Sequence, residues 1–277
     1  MIIDSHLHFY DMLAEPPGDV HHDHLPFESV IAQAREIGID QIVQVTPFAA
    51  GYDNRHSFAV AGRHPDDVLG VIARVDPLHP DVERHVGALL EHPKMLALRL
   101  TLIENNEHWL ADRTVDEFFR LAERLQVPME LFAPYYVAQM HDTVRRFPGV
   151  RWLIDHMGLR YYAGQDNRDA FRQWDALLDL AGEDNVWIKC AYFPEAAKDL
   201  ESYPYPLARD YMRRLYERVG AGRLIWGSNF PNVRRACTYR QALDFIRVEC
   251  DFMSPAEREA ITSTNFLRYV GRTAVSA

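Results

Sequence analysis

The chain has little cysteine: Cys190, Cys237 and Cys250 are the three among 277 residues. An odd number without metal-type spacing argues against a disulfide framework and suits a reducing compartment. No apolar run approaches the roughly 20 residues of a membrane span, and the N-terminus has no signal-peptide pattern. A cytoplasmic, soluble, single-domain protein is therefore expected over residues 1–277. Net positive charge is missing too. At −10, with acidic residues scattered, the chain is a poor partner for nucleic acid or an anionic membrane. Nor does a G-x-G-x-x-G follow any strand-like run, which counts against a doubly wound dinucleotide fold.

What the chain does have is 48% hydrophobic residues, enough for one large core. These fall into alternating patterns. Apolar, β-branched runs at 2–8, 41–45, 68–75, 95–100, 128–132, 151–156, 186–190 and 223–229 read as strands. Helical spacing occupies 27–37, 52–62, 82–91, 115–125, 137–147, 170–181 and 207–219, and helices from Tyr239 and Pro255 close the chain. Eight strand–helix alternations with near-continuous apolar strands predict a (β/α)8 TIM barrel. The stretch after strand one contains Pro16-Pro17-Gly18 and His21-His22-Asp23-His24 and reads as a long loop. Its histidines are expected to be surface residues, since nothing fixes their geometry.

Barrel interiors are filled mainly by apolar side chains, so polar groups at strand ends call for a reason. In the first strand His6 and His8 are two apart and share a face. Arg99, Glu130, His156, Lys189 and Asn229 stand on strands four to eight. Singly each has a structural explanation: Arg99 as a strut to Glu130, Lys189 as a partner of Asp155, His156 bonded to a carbonyl. Together, near one rim, they read as an active site.

Four stretches then carry a resemblance: Asp4-Ser5-His6-Leu7-His8, Leu153-Ile154-Asp155-His156-Met157-Gly158, Val186-Trp187-Ile188-Lys189 and Leu224-Ile225-Trp226-Gly227-Ser228-Asn229-Phe230-Pro231. In this order they resemble the amidohydrolase superfamily, and within it the "amidohydrolase 2" branch. That branch holds pyrone-dicarboxylate, fuconolactone and sulfomuconolactone hydrolases, with metal-dependent decarboxylases and hydratases as relatives. The resemblance implies that His6 and His8 bind a divalent metal or line the carbonyl site. It implies that His156 polarises the substrate carbonyl or supports the metal, and that the strand-eight carboxylate is the general base. Two departures stand out. Glu130 occupies a place where many metal-binding members have histidine, and Asn229 stands where the branch has Asp. An amide cannot take a proton from water as a carboxylate does. A shift in chemistry, a loss of activity and a carboxylate replaced to trap a ligand all remain open.

The leading expectation is a hydrolase that opens a lactone of a small carboxylated or sugar-derived acid. Water attacks a carbonyl held by His6, His8 and His156, while Arg99 and Lys189 bind anionic oxygens. Glu130 is either a substitute base or the ion-pair partner of Arg99. The alternatives are a metal-dependent decarboxylase or hydratase, with His6, His8, Glu130 and His156 around zinc or manganese, and a silent small-molecule binder. The expected cofactor is accordingly none or one divalent metal. Tyr135 and Tyr161, after strands five and six, are further substrate contacts, as is Tyr192 after strand seven. Trp152 and Trp187 are expected in the core, and Cys190 is expected to be a buried small residue rather than a nucleophile. The expected partner is a small anionic substrate, and a homodimer is the default assembly.

Overall fold

The computed structural model describes residues 1–9, 26–103, 105–159 and 169–272. Tyr161 and the histidines at 21, 22 and 24 lie outside these. Eight parallel strands form one sheet in sequence order. They are β1 Ile3–Leu7, β2 Gln41–Val45, β3 Val68–Ala73, β4 Met95–Thr101, β5 Met129–Phe132, β6 Trp152–Ile154, β7 Val186–Lys189 and β8 Leu224–Ile225. A bridge between Leu7 and Phe230 brings the last segment back to the first. Two backbone bonds there, Asn229 N to His6 O at 2.8 Å and His8 N to Phe230 O at 2.9 Å, tie the seam. This is the (β/α)8 barrel that the alternation of patterns predicts.

The helices are α1 Phe27–Glu36, α2 Arg55–Arg63, α3 Val82–Leu90, α4 Asp116–Arg124, α5 Val137–Arg146, α6 Trp174–Ala181, α7 Phe193–Ala197, α8 Pro206–Val219, α9 Tyr239–Asp244, α10 Pro255–Ile261 and α11 Thr264–Tyr269. Their buried faces pack on the outward side chains of the strands, which form the larger core. Ser254 and Glu257 make a reciprocal capping box that starts α10. Inside the barrel a smaller cluster holds Ile3, Val43, Val45, Ile72, Leu96, Leu153 and Ile225, and residues of α11 close it from below.

Several strands are a residue or two shorter than expected, and two are cut by half or more. The sixth ends at Ile154, because Asp155–Gly158 turns over with His156 and Met157 in left-handed conformation (φ 51° and 56°). The eighth is only two residues long. In both places an apolar run continues into a polar segment whose backbone bends instead of extending. Periodicity alone does not register that change.

The side chains of strand β1 change face partway along it. Ile3 belongs to the interior cluster and Leu7 to the outer core, although an even spacing should place them on one side. The register with β2 is irregular between Asp4 and Leu7. An irregularity of this kind inverts the facing of every later residue. It is what allows His6 and His8 to face inward above an apolar floor.

Candidate active site

On several strands an apolar interior residue is followed, two or three positions on, by a charged one: Leu96 by Arg99, Leu153 by Asp155, Trp187 by Lys189. The barrel therefore carries a polar layer towards the C-terminal ends of its strands, over the apolar layer. Arg99 and Glu130 are register partners on β4 and β5. His6, Glu130, Asp155 and Lys189 are fully buried, and His8, Arg99, His156 and Asn229 nearly so.

Buried charges need partners, and here they are matched. Arg99 holds Asp155 Oδ2 through Nε (3.0 Å) and Nη2 (2.5 Å), and its Nε lies 3.2 Å from Glu130 Oε1. Lys189 Nζ donates to Glu130 Oε2 at 2.5 Å and to the Ser5 carbonyl at 3.1 Å. The expected Arg99–Glu130 strut is present, with Asp155 as the closer partner. The expected pairing of Lys189 with Asp155 is not: Lys189 takes Glu130 instead. The physical reason is that Arg99 already covers one oxygen of Asp155. Glu130 Oε2 is thus hydrogen-bonded to Lys189, while Oε1 faces Arg99 Nε and His6 Nδ1 at ion-pair distance without a hydrogen bond.

The imidazoles sit against this layer. His8 Nδ1 lies 2.8 Å from the Val45 carbonyl, so it carries the proton and leaves Nε2 with a lone pair. That Nε2 is 3.2 Å from His6 Nε2. On its other side His6 Nδ1 meets Lys189 Nζ at 3.2 Å, Asp155 Oδ1 at 3.3 Å and Glu130 Oε1 at 3.4 Å. Without an ion, the Nε2–H tautomer of His6 satisfies both nitrogens, donating to His8 Nε2 and accepting from Lys189 Nζ at Nδ1; the Nδ1–H tautomer would set two lone pairs against each other, an arrangement that suits a cation between them. The His156 ring packs beside His6, with centroids 4.5 Å apart, and against Phe132 and Tyr192. Its Nδ1 is buried without a hydrogen-bond partner. Burial holds both His8 and His156 well below the ordinary histidine range, so both rings are neutral at pH 7.

These donors suit a divalent ion. Around a tetrahedral zinc with Zn–N of about 2.0–2.1 Å, two nitrogens lie roughly 3.3–3.4 Å apart, close to the span between the two Nε2 atoms. The hydrogen bonds at Nδ1 of both rings are the outer-shell kind that aims a ligand histidine. Among the described residues, His6, Asp155 and His156 form a cluster with ligand atoms within 4.8 Å of one another. Asp155 is the member of this set that the sequence reading left out. Glu130, expected as a further ligand, is occupied by Lys189 and Arg99.

The seam between β1 and β8 fixes His6 in position. Asp4 Oδ1 accepts from the His6 and Ser228 amides (3.1 and 2.9 Å), while Oδ2 accepts from Ser228 Oγ (2.5 Å) and Tyr239 OH (2.6 Å). Gly227 lies against the same strand, and a Cβ there would sit 2.7 Å from His6 Cβ and 2.9 Å from its amide nitrogen. Gly227→Ala is expected to push β1 aside and cost about 1–3 kcal/mol, read as a lowered denaturant midpoint.

Asn229 follows β8 in left-handed conformation (φ 58°), which asparagine tolerates better than most residues. Its Nδ2 donates to Glu195 Oε1 at 3.0 Å, and its Oδ1 accepts from Asn232 Nδ2 at 3.1 Å. Glu195, on α7, is a buried carboxylate that the sequence reading missed. The available signal was Phe193-Pro194-Glu195, a proline placed to begin a helix directly after a strand end. Tyr135 is half-buried, with its ring under the Arg172 guanidinium. Trp152 and Cys190 are buried in the larger core as expected; Trp187 is half-buried beside the interior cluster. Burial raises the Cys190 thiol, which keeps it protonated.

The family profile described as "Amidohydrolase" matches residues 3–272. An L-fucono-1,5-lactonase from Burkholderia ambifaria is 27% identical, over 95% of this chain and 93% of the relative. Among solved structures, a zinc-bound amidohydrolase from Burkholderia multivorans superposes with a TM-score of 0.84 at 18% identity, covering 99% of this chain and all of that one. A probable 2-pyrone-4,6-dicarboxylic acid hydrolase from Acinetobacter baumannii, with citric acid bound, gives 0.76 at 22% identity, over 98% and 99% of the two chains.

Proposed function

The chain belongs to the amidohydrolase family, and from that membership we propose that it is a lactonase, opening the cyclic ester of a small carboxylated or sugar-derived acid. The observation that carries this reading is the meeting of three imidazoles, His6, His8 and His156, over a polar layer whose charges are already matched. Such a site gathers imidazole nitrogens, among them the His8 Nε2 lone pair and the unpartnered His156 Nδ1, where a carbonyl can be held and polarised, directly or through a bound ion. The lactonase and pyrone-dicarboxylate hydrolase among its relatives support the substrate class.

In this mechanism the lactone carbonyl lies against the His156 ring, whose Nδ1 is buried without a partner and whose Nε2 lies 3.5 Å from Asp155 Oδ2. His6 and His8 hold the opposite side, their orientation set by Val45, Asp155 and Lys189. If zinc or manganese is bound, His6 and His8 would hold it through Nε2, with His156 and Asp155 beside them, and the ion would supply Lewis-acid polarisation of the carbonyl. Arg99 and Lys189 act here mainly by pairing with Asp155 and Glu130 and fixing them in place. Tyr135, after β5, and Tyr161, which follows β6 in the sequence, are assigned to substrate contact. The small anionic substrate itself, rather than a macromolecule, is the partner.

Decarboxylases share this fold, so the test has to separate two outcomes. The protein is incubated with sugar lactones, pyrone carboxylates and hydroxybenzoates, and products are weighed by mass spectrometry. Addition of one water to a lactone is the expected result. Loss of carbon dioxide from an aromatic acid, with lactones untouched, would assign the site to decarboxylation.

A further inference from the structure

A lactonase needs a base for its water, and the β8 position that would supply one holds an amide. We propose that Glu195, on α7, is the general base of this site and that Asn229 is the residue that positions it; this rests on the lactonase reading above. The two side chains explain each other. Asn232 donates to Asn229 Oδ1, which turns the Asn229 amide nitrogen towards Glu195 Oε1. A carboxylate at 229 would instead face a second carboxylate at about the same 3.0 Å separation, and two like charges so close resist ionising together. With asparagine there, one oxygen of Glu195 is fixed by a hydrogen bond. The other, Oε2, is buried and has no partner. A buried, unpartnered carboxylate oxygen beside the amide that replaces the family's base is where a water would be bound and deprotonated.

The surroundings tune it. Glu195 is 2% exposed, and burial pushes its carboxyl up to about 7, partly offset by the Asn229 bond and the charge of Arg235. Tyr205 at the start of α8 and Cys237 also face it, and both thiol and phenol are held protonated. A base with that affinity for protons suits operation near neutral pH. In the reaction, Oε2 takes one proton from water as the water oxygen bonds to the lactone carbonyl carbon, and the carbonyl electron pair moves onto its oxygen. Collapse of that oxyanion breaks the ring C–O bond. The departing alkoxide recovers the proton from Glu195, which leaves a hydroxy acid and the starting carboxylate.

The test compares pH–rate profiles of the wild type, Glu195→Gln and Glu195→Asp on a lactone that the wild type opens. Wild-type kcat/KM should rise with pH through about 7. Glu195→Gln should lower kcat by about 10²–10⁴-fold with little change in KM and lose that rise. Glu195→Asp should keep the rise at a reduced rate, and it decides the matter if the glutamine variant does not fold. Wild-type kcat and an unchanged profile in either folded variant would overturn the role of Glu195 and leave the lactonase reading standing. A wild type that opens no lactone would overturn both.

Discussion

Replacing His156 by alanine should lower kcat/KM for lactone opening by about 10²–10⁴-fold, the range typical of losing a positioned proton donor or oxyanion contact. The fold should survive, because this ring is held by packing against His6, Phe132 and Tyr192 rather than by a chain of hydrogen bonds. Its left-handed backbone (φ 51°) is a conformation that costs free energy in most residues. The turn at Asp155–Gly158 keeps it there and thereby brings an imidazole from β6 beside the one from β1. Steady-state kinetics with a denaturant midpoint on the same preparation would check both halves. Near-wild-type turnover in His156→Ala would remove the ring from the reacting atoms.

The second large effect is on stability. Lys189→Met should destabilise the protein by about 3–5 kcal/mol, the usual consequence of stripping one partner from a buried ion pair. Lys189 is fully buried and bonds Glu130, the Ser5 carbonyl and His6 at once. Without it, Glu130 retains Arg99 and, at 3.4 Å, the His6 ring nitrogen, and Arg99 also serves Asp155. Adding Glu130→Gln to Lys189→Met should recover part of the loss, since the uncompensated charge goes with it. Equilibrium unfolding in urea measures this directly. A loss below about 1 kcal/mol would place the pair among those that contribute little, as exposed ion pairs do.

Much of this architecture is legible in the sequence, because the barrel repeats one pattern eight times and the period of each segment declares its type. Strand β2 is expected at 41–45 and found at Gln41–Val45. The site is legible only in part, and the reason is specific. Residues on strands or directly after them announce themselves as polar interruptions of an apolar run, as His6, Arg99, Glu130 and Lys189 do on strands and His156 does just beyond β6. Glu195 interrupts nothing: it lies beyond the end of β7, in a five-residue helix, among residues that would pass for a loop. Its importance arises from Asn229, which is far away in the chain and meets it only after the barrel closes. Partner choice is equally hidden. That Lys189 takes Glu130, while Arg99 takes Asp155, depends on reach across the barrel, which spacing along the chain does not encode.

The most direct measurement is proton release, followed with a pH indicator, as the wild-type protein meets a panel of sugar-derived and carboxylated lactones, with and without added zinc or manganese. Opening a lactone at neutral pH liberates one proton, so the product need not be known in advance. Acidification with at least one lactone, and its loss in His156→Ala, is the result expected of the site described above. A panel that stays neutral throughout, from a folded protein under every metal condition, would contradict it.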